Sequence, residues 1–197
     1  MRAAFLDRDG TLILEKSYLG DPAGVELCPG AREGIAQLRK AGWALFVVTN
    51  QSGIGRGYYT EADMHRVNAR MVELLGGGEH DPIFRKIYFA PEAPGEPSLG
   101  RKPLPRFLFD ARDEFGVELE HSLMVGDKLI DLECGWNAGV CRSVLVRTGY
   151  GARLEREQPE IREKALVVGN LVELAAVVTQ SAKRGALCAG DRRAESG

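Results

Sequence analysis

Four short clusters hold most of the candidate chemistry in this 197-residue chain: Asp7-Arg8-Asp9-Gly10-Thr11, Thr49-Asn50-Gln51-Ser52-Gly53, Arg101-Lys102-Pro103, and Gly126-Asp127-Lys128 with Asp131 one turn on. Together they offer acids, a hydroxyl, an amide and cations, a set suited to phosphoryl transfer. Unaided hydrolysis of a phosphate monoester is so slow that a catalyst must supply upwards of ~20 kcal/mol. A carboxylate nucleophile divides the reaction into two displacements. Charge is the obstacle: a carboxylate about 3.5 Å from a phosphate dianion is repelled by roughly 10 kcal/mol at an effective dielectric of about 20. Lys102 alone does not offset this, whereas Lys102 with a bridging divalent ion does. Asp7 and Asp127 are the oxygen donors Mg²⁺ prefers. Zinc or copper would want His or Cys, and His65, His80 and His121 sit elsewhere.

Asp9, two residues beyond Asp7, returns its side chain to the same side of the backbone. A carboxyl beside other carboxylates holds its proton more tightly, which suits it to protonate a leaving oxygen and then activate water. Thr49 and the backbone N–H groups around Arg8 and Asn50 would hold the non-transferred phosphate oxygens. Taken singly, each cluster has an ordinary explanation as a turn, a helix cap or a solvated lysine. The conjunction does not.

The elements that must position these residues follow from apolar patterning. Continuous apolar runs at residues 3–6, 44–48, 86–89, 122–125, 144–147 and 166–168 read as buried strands. Helical spacing marks 31–41, about 105–115 and 130–138. A further helix is capped at Thr60 with Asp63 at the capping-box position and stopped by Gly76-Gly77-Gly78, and the last runs from Asn170 to Val178. Strands that are apolar throughout and alternate with helices indicate an α/β fold: a three-layer, doubly wound, Rossmann-like and mostly parallel sheet. Ligands bind such sheets at the carboxyl ends of the strands. All four clusters follow strands or the loop after strand three, so they are expected to converge there. The 42 residues from Asp7 to Thr49 and the 53 from Thr49 to Lys102 are mostly spent on the expected helix and strand, leaving no separate cap domain. Loops at about 12–30, 51–59 and 90–104 should shape specificity. Residues 1–180 form the expected domain and 181–197 a flexible tail.

Composition narrows the classes. The chain is 44% apolar and 27% charged, enough for a core and unlike disordered or fibrous chains. A formal net charge of −2 supplies no field for nucleic acid. The longest apolar run, Trp43 to Val48, is far short of a membrane span. Too few residues precede Asp7 for the apolar region of a leader, so a cytoplasmic protein is expected. Its four scattered cysteines are then expected to be thiols, and a monomer is anticipated.

The ordered strings Phe5-Leu-Asp-Arg-Asp-Gly-Thr11, Val48-Thr-Asn-Gln-Ser-Gly-Ile-Gly-Arg-Gly57, Arg101-Lys-Pro103, Met124-Val-Gly-Asp-Lys-Leu-Ile-Asp131 and Val144-Leu-Val-Arg-Thr-Gly149 resemble the haloacid dehalogenase (HAD) superfamily of phosphatases. Within it they resemble the D,D-heptose 1,7-bisphosphate phosphatases and their histidinol-phosphate phosphatase relatives. The likeness spans residues 3–149. It implies that Asp7 is the nucleophile and that Asp9 is the general acid/base, its backbone carbonyl also a Mg²⁺ ligand. It further implies phosphate binding by Thr49 and Lys102 with Asn50 beside them, and Mg²⁺ ligation by Asp127 supported by Asp131 or Lys128. Arg101 and Arg56 would contact the sugar or a second phosphate. The implied ligand is a small phosphorylated sugar.

One departure stands out. Many relatives carry a Cys-x-His and Cys-x-Cys zinc clamp before Arg-Lys-Pro. Here the stretch reads Tyr88-Phe-Ala-Pro-Glu-Ala-Pro and Ser98-Leu-Gly100, so no structural zinc is expected and prolines would stiffen the loop. A reading of another class, a phospho-accepting signalling domain, wants an acid at the tip of strand three. That tip is Phe89-Ala90-Pro91.

Overall fold

The computed structural model describes residues 1–78 and 81–184, with side chains through Ser181. Six strands form one sheet: β1 (Ala3–Leu6), β2 (Ala44–Asn50), β3 (Lys86–Ala90), β4 (Leu123–Gly126), β5 (Arg142–Val146) and β6 (Leu166–Val168). Every pairing is parallel and the order is β3-β2-β1-β4-β5-β6. The chain therefore starts in the middle of the sheet and winds outward both ways. The switch point falls between β1 and β4, where two strand ends open beside each other.

Eight α-helices accompany the sheet among the described residues: α1 (Ala31–Lys40), α2 (Ser52–Gly55), α3 (Glu61–Leu75), α4 (Arg106–Phe115), α5 (Leu129–Ala138), α6 (Gly151–Glu157), α7 (Ile161–Lys164) and α8 (Leu171–Arg184). Alternation along the strands assigns the two cores. Ala4, Leu6, Leu45, Val47, Leu123 and Val125 bury against Ile35 and Leu38 of α1, Val67 and Met71 of α3, and Leu174 and Val178 of α8. Ala3, Phe5, Phe46, Val48 and Met124 face the other way, onto Leu108 and Ala111 of α4 and Cys134 of α5. Both strand faces are dry, which is why the strands read as unbroken apolar runs rather than alternating ones.

Local signals hold where capping chemistry is explicit. Thr60 and Asp63 close the expected capping box, and Gly76 ends α3 at φ +92°. Asn170 Oδ1 accepts from the Val172 and Glu173 amides at 3.0 and 3.1 Å. The differences lie at edges. β2 runs on through Thr49 and Asn50, which pair with Phe89 and Ala90, so these two polar residues sit on the sheet and not on a loop. Residues 52–55 are helical, as are 151–157 and 161–164, where no helix is expected. α8 continues to Arg184, four residues into the expected tail, and the rest of that tail lies outside the described residues. Cys28 and Cys134 are buried thiols, but Cys141 is disulfide-bonded, contrary to the expectation of thiols throughout.

Candidate active site

β1 ends at Leu6, and the Asp7 amide still donates to the Val125 carbonyl of β4 at 2.8 Å. This ladder bond sets the Asp7 side chain beside the end of β4, where Asp127 follows Gly126. Lys102, carried by the loop after β3, reaches in from the far side. Its Nζ lies 2.7 Å from Asp7 Oδ1, 2.6 Å from Asp131 Oδ1 and 2.8 Å from the Val48 carbonyl. The lysine is buried, and two carboxylates raise its pKa against the opposing cost of burial. Asn50 fixes the backbone that delivers it: its Oδ1 accepts from the Lys102 amide at 2.9 Å and its Nδ2 donates to the Lys102 carbonyl at 3.1 Å.

Asp7, Asp127 and Asp131 each place a carboxylate oxygen within 4.8 Å of the others. Burial, followed by the nearby Asp7 charge, pushes Asp127 up to about 8. Burial raises Asp131 as well, with Lys102 opposing. Asp131 Oδ2 accepts from the Lys128 amide at 3.0 Å, and Asp127 Oδ2 accepts from the Tyr150 amide at 2.8 Å. Asp127 Oδ1 is buried with no hydrogen-bond partner. Three converging oxygen donors, one of them unsatisfied, fit a hard divalent cation such as Mg²⁺. Two glycines make room: Gly10 (φ +85°) and Gly149 (φ +56°) would each drive a Cβ to 2.2 Å from Asp127 Oδ2. No side chain fits at either position.

The other flank of Asp7 is built around Arg8, only 1% exposed. Its Nε and Nη2 meet Asp9 Oδ2 and Oδ1 at 3.1 and 3.2 Å, Nη2 also donates to Gln51 Oε1 at 2.8 Å, and Nη1 donates to Asn68 Oδ1 at 3.0 Å. Gln51 Nε2 donates to Asp9 Oδ2 at 2.9 Å and to Thr49 Oγ1 at 2.8 Å, while its Oε1 also accepts from the Tyr59 hydroxyl at 2.6 Å. Burial raises the pKa of Asp9, Arg8 pulls it back, and Asp7 adds to the rise.

These groups surround a cavity of about 280 Å³ walled by Asp7, Asp9, Thr49, Asn50, Lys102, Lys128 and Asp131 among others. Asp127 sits beside it, in contact with the Gly10 and Gly149 turns. Lys128 projects toward Glu15, with Nζ 2.8 Å from Oε2. Two expected residues stand apart from the walls. Arg101 Nη1 donates to the Glu92 carbonyl at 3.0 Å, and Arg56 lies over the Tyr18 ring at 5.8 Å. Arg101 thus serves the proline-rich loop, which Ser98 also ties together by bonding Glu92 and the Arg101 amide.

Sequence reasoning passed over Arg8, Gln51 and Asn68 as side chains, and Glu15 entirely. A signal existed for Asn68. It interrupts the apolar stripe of α3 between Met64 and Met71, and a polar residue there must find a buried partner.

An acid just beyond the first strand, further acids at the switch point and a buried lysine make a set of groups suited to phosphoryl transfer on a doubly wound sheet. The comparisons agree: a HAD-hydrolase-like family model matches residues 99–174. The chain is 39% identical over 163 residues to a D-glycero-beta-D-manno-heptose-1,7-bisphosphate 7-phosphatase of Salmonella typhi, covering 79% of this chain and 85% of that one. It is 36% identical over 184 residues to the Mesorhizobium japonicum protein of the same name, covering 86% and 83%. A crystal structure of D,D-heptose 1,7-bisphosphate phosphatase from B. bronchiseptica, complexed with magnesium and phosphate, superposes with a TM-score of 0.83 at 30% identity, covering 92% of this chain and 99% of that one. The chain belongs to the HAD superfamily of phosphatases, enzymes that hydrolyse phosphoric monoesters.

Proposed function

We propose that this protein is a Mg²⁺-dependent phosphatase that removes the 7-phosphate of D-glycero-D-manno-heptose 1,7-bisphosphate through an aspartyl-phosphate intermediate. The observation that carries the reading is the meeting of Asp7, Asp127 and Asp131 with the buried Lys102 at the strand switch point. The names of the relatives supply the substrate.

Asp7, Asp127 and the Asp9 backbone carbonyl would hold the metal, with Asp131 supporting. When bound, Mg²⁺ neutralises the charge between carboxylate and phosphate and polarises the phosphoryl group. A free Asp7 oxygen attacks phosphorus while the bond from phosphorus to the sugar oxygen breaks. The Asp9 carboxyl gives its proton to that departing oxygen. In the second half, Asp9, now a carboxylate, takes a proton from water as the water oxygen attacks phosphorus. The Asp7–phosphorus bond breaks and inorganic phosphate leaves. Thr49 and Lys102 hold the non-transferred oxygens, with Asn50 fixing the lysine's backbone. Lys128 faces the rest of the sugar phosphate, and Arg101 and Arg56, which lie outside the cavity walls, would reach it from the surrounding loops. On this reading the enzyme works as a cytoplasmic monomer on a small soluble substrate. Among the described residues no helix is long and apolar enough to cross a membrane.

The test is phosphate release from a panel of sugar and amino-alcohol phosphates with and without Mg²⁺. The heptose bisphosphate should give the highest kcat/KM, losing only its 7-phosphate. Preferred turnover of histidinol phosphate would overturn the substrate, and undiminished turnover in a chelator would overturn the metal.

A further inference from the structure

A buried guanidinium carries five N–H donors in a rigid fork, and its orientation is set by what accepts them. Arg8 spends one on Asp9 Oδ2, two of Nη2 on Asp9 Oδ1 and Gln51 Oε1, and one on Asn68 Oδ1. The Asn68 contact is the one that comes from outside the loops of the site. Asn68 lies on α3, is buried, and its Nδ2 is turned to the Met64 sulfur at 2.9 Å, so the amide presents its oxygen to Arg8. α3 packs in the core through Val67 and Met71. A rigid helix is thereby connected to the Asp9 carboxyl through one side chain. Asp9 Oδ2 accepts from both Arg8 Nε and Gln51 Nε2, whereas Oδ1 accepts from Arg8 Nη2 alone and keeps a second lone-pair direction, and the carboxyl still borders the cavity.

We propose that Asn68, acting through Arg8, is a positioning residue for the Asp9 carboxyl, with Gln51 closing the network on the phosphate side. The proposal deepens the functional reading, because it rests on Asp9 protonating the leaving oxygen. Without the Asn68 acceptor, the Arg8 fork loses its anchor to α3 and the carboxyl it grips is free to tilt. A proton donor displaced from its geometry loses rate in proportion to how much the leaving group needs protonation. A sugar alkoxide needs it. A nitrophenolate departs as its stable anion and does not.

The experiment measures kcat/KM, which reports steps through the first P–O cleavage, for an alkyl sugar phosphate and for p-nitrophenyl phosphate. Asn68→Leu keeps the size and removes the acceptor. Asn68→Ala removes the acceptor and leaves a cavity instead. Both should lower the alkyl-to-aryl ratio of kcat/KM by about tenfold, a part of what a full general acid contributes. A ratio cancels any loss of correctly folded enzyme, so partial unfolding cannot imitate the result. Asp9→Asn, measured in parallel, should lower the same ratio further. If Asp9→Asn is selective and both Asn68 variants leave the ratio at the wild-type value, the positioning role is overturned and the acid reading stands. If Asp9→Asn slows both substrates alike, the acid reading falls and takes the proposal with it.

Discussion

The two flanks of Asp7 solve the problem of buried charge in opposite ways. Toward β4, three carboxylates gather, Lys102 pairs with two of them, and Asp127, near the Lys128 charge, keeps an oxygen with no partner. Toward α3, Arg8 and Asp9 pair fork to carboxylate, and Gln51, Asn68 and Tyr59 satisfy the remaining groups. One flank is short of positive charge by itself, and the other is complete. A site that must accept a cation with its substrate needs the first kind of wall, and a proton donor that must be held still needs the second. The largest effects should therefore arise from the deficient flank.

Asp7 belongs to both flanks and should matter most. Asp7→Asn keeps the shape and removes the nucleophile, so turnover should fall by about four orders of magnitude or more. Circular dichroism should show an unchanged fold. Near-normal turnover would remove Asp7 as the nucleophile.

Metal should discriminate the flanks next. Chelation should abolish phosphate release. Added Mg²⁺ at about 100 times its Kd should stabilise the folded chain by about 2.7 kcal/mol, which raises Tm by roughly 5–10 °C for a protein of this size. Differential scanning fluorimetry reads this directly. The shift should disappear in Asp127→Asn and survive in Asn68→Ala. Loss of the shift in both would mean that the two flanks are one cooperative unit.

Lys102→Ala tests the cation that pairs directly with Asp7 and Asp131. It leaves Asp7 and Asp131 buried without their partner, so the metal-free protein should lose about 3 kcal/mol in urea unfolding. The rate should fall about a hundredfold in kcat, with KM raised. Mg²⁺ should restore part of the stability and little of the rate. A silent substitution would return Lys102 to the status of a solvated lysine, which its burial already opposes.

The contrast also explains which parts of the molecule were readable from sequence. The deficient flank was legible because its residues follow apolar runs: Asp7 after 3–6, Thr49 and Asn50 at the end of 44–50, and Asp127 after 123–126. A parallel sheet then forces them to one edge. Asp131 was legible only as a support, because its approach to Lys102 depends on the α5 N-terminus turning back over β4. The complete flank was hidden. Arg8 looks like the spacer between two acids, and its partners come from 43 and 60 residues away. Arg56 and Arg101 read as ligand groups by their place in the chain, but their contacts with the Tyr18 ring and the Glu92 carbonyl follow from loop packing that no local pattern announces. Short helices such as residues 151–157 escaped because nothing in Gly151–Glu157 carries a capping signal or a full apolar stripe.

The prediction with no effect on turnover concerns pH and the metal-free protein, and it isolates the deficient flank without touching catalysis. Asp127 titrates near 8 in the folded chain, because burial and the Asp7 charge disfavour its ionised form. In the unfolded chain an aspartate titrates near 4. The folded state therefore binds the proton more tightly, and stability falls as pH rises between those values. The contribution is complete below the unfolded value and gone once pH has passed about 8. Urea midpoints in chelator should accordingly decline from pH 5 to pH 8 in the wild type. Asp127→Asn cannot ionise and should show a flatter profile, while Asn68→Ala, on the complete flank, should keep the wild-type slope. Equal slopes for wild type and Asp127→Asn would mean that this carboxyl is already charged and compensated, and that the two sides of Asp7 do not differ in the way their contacts indicate.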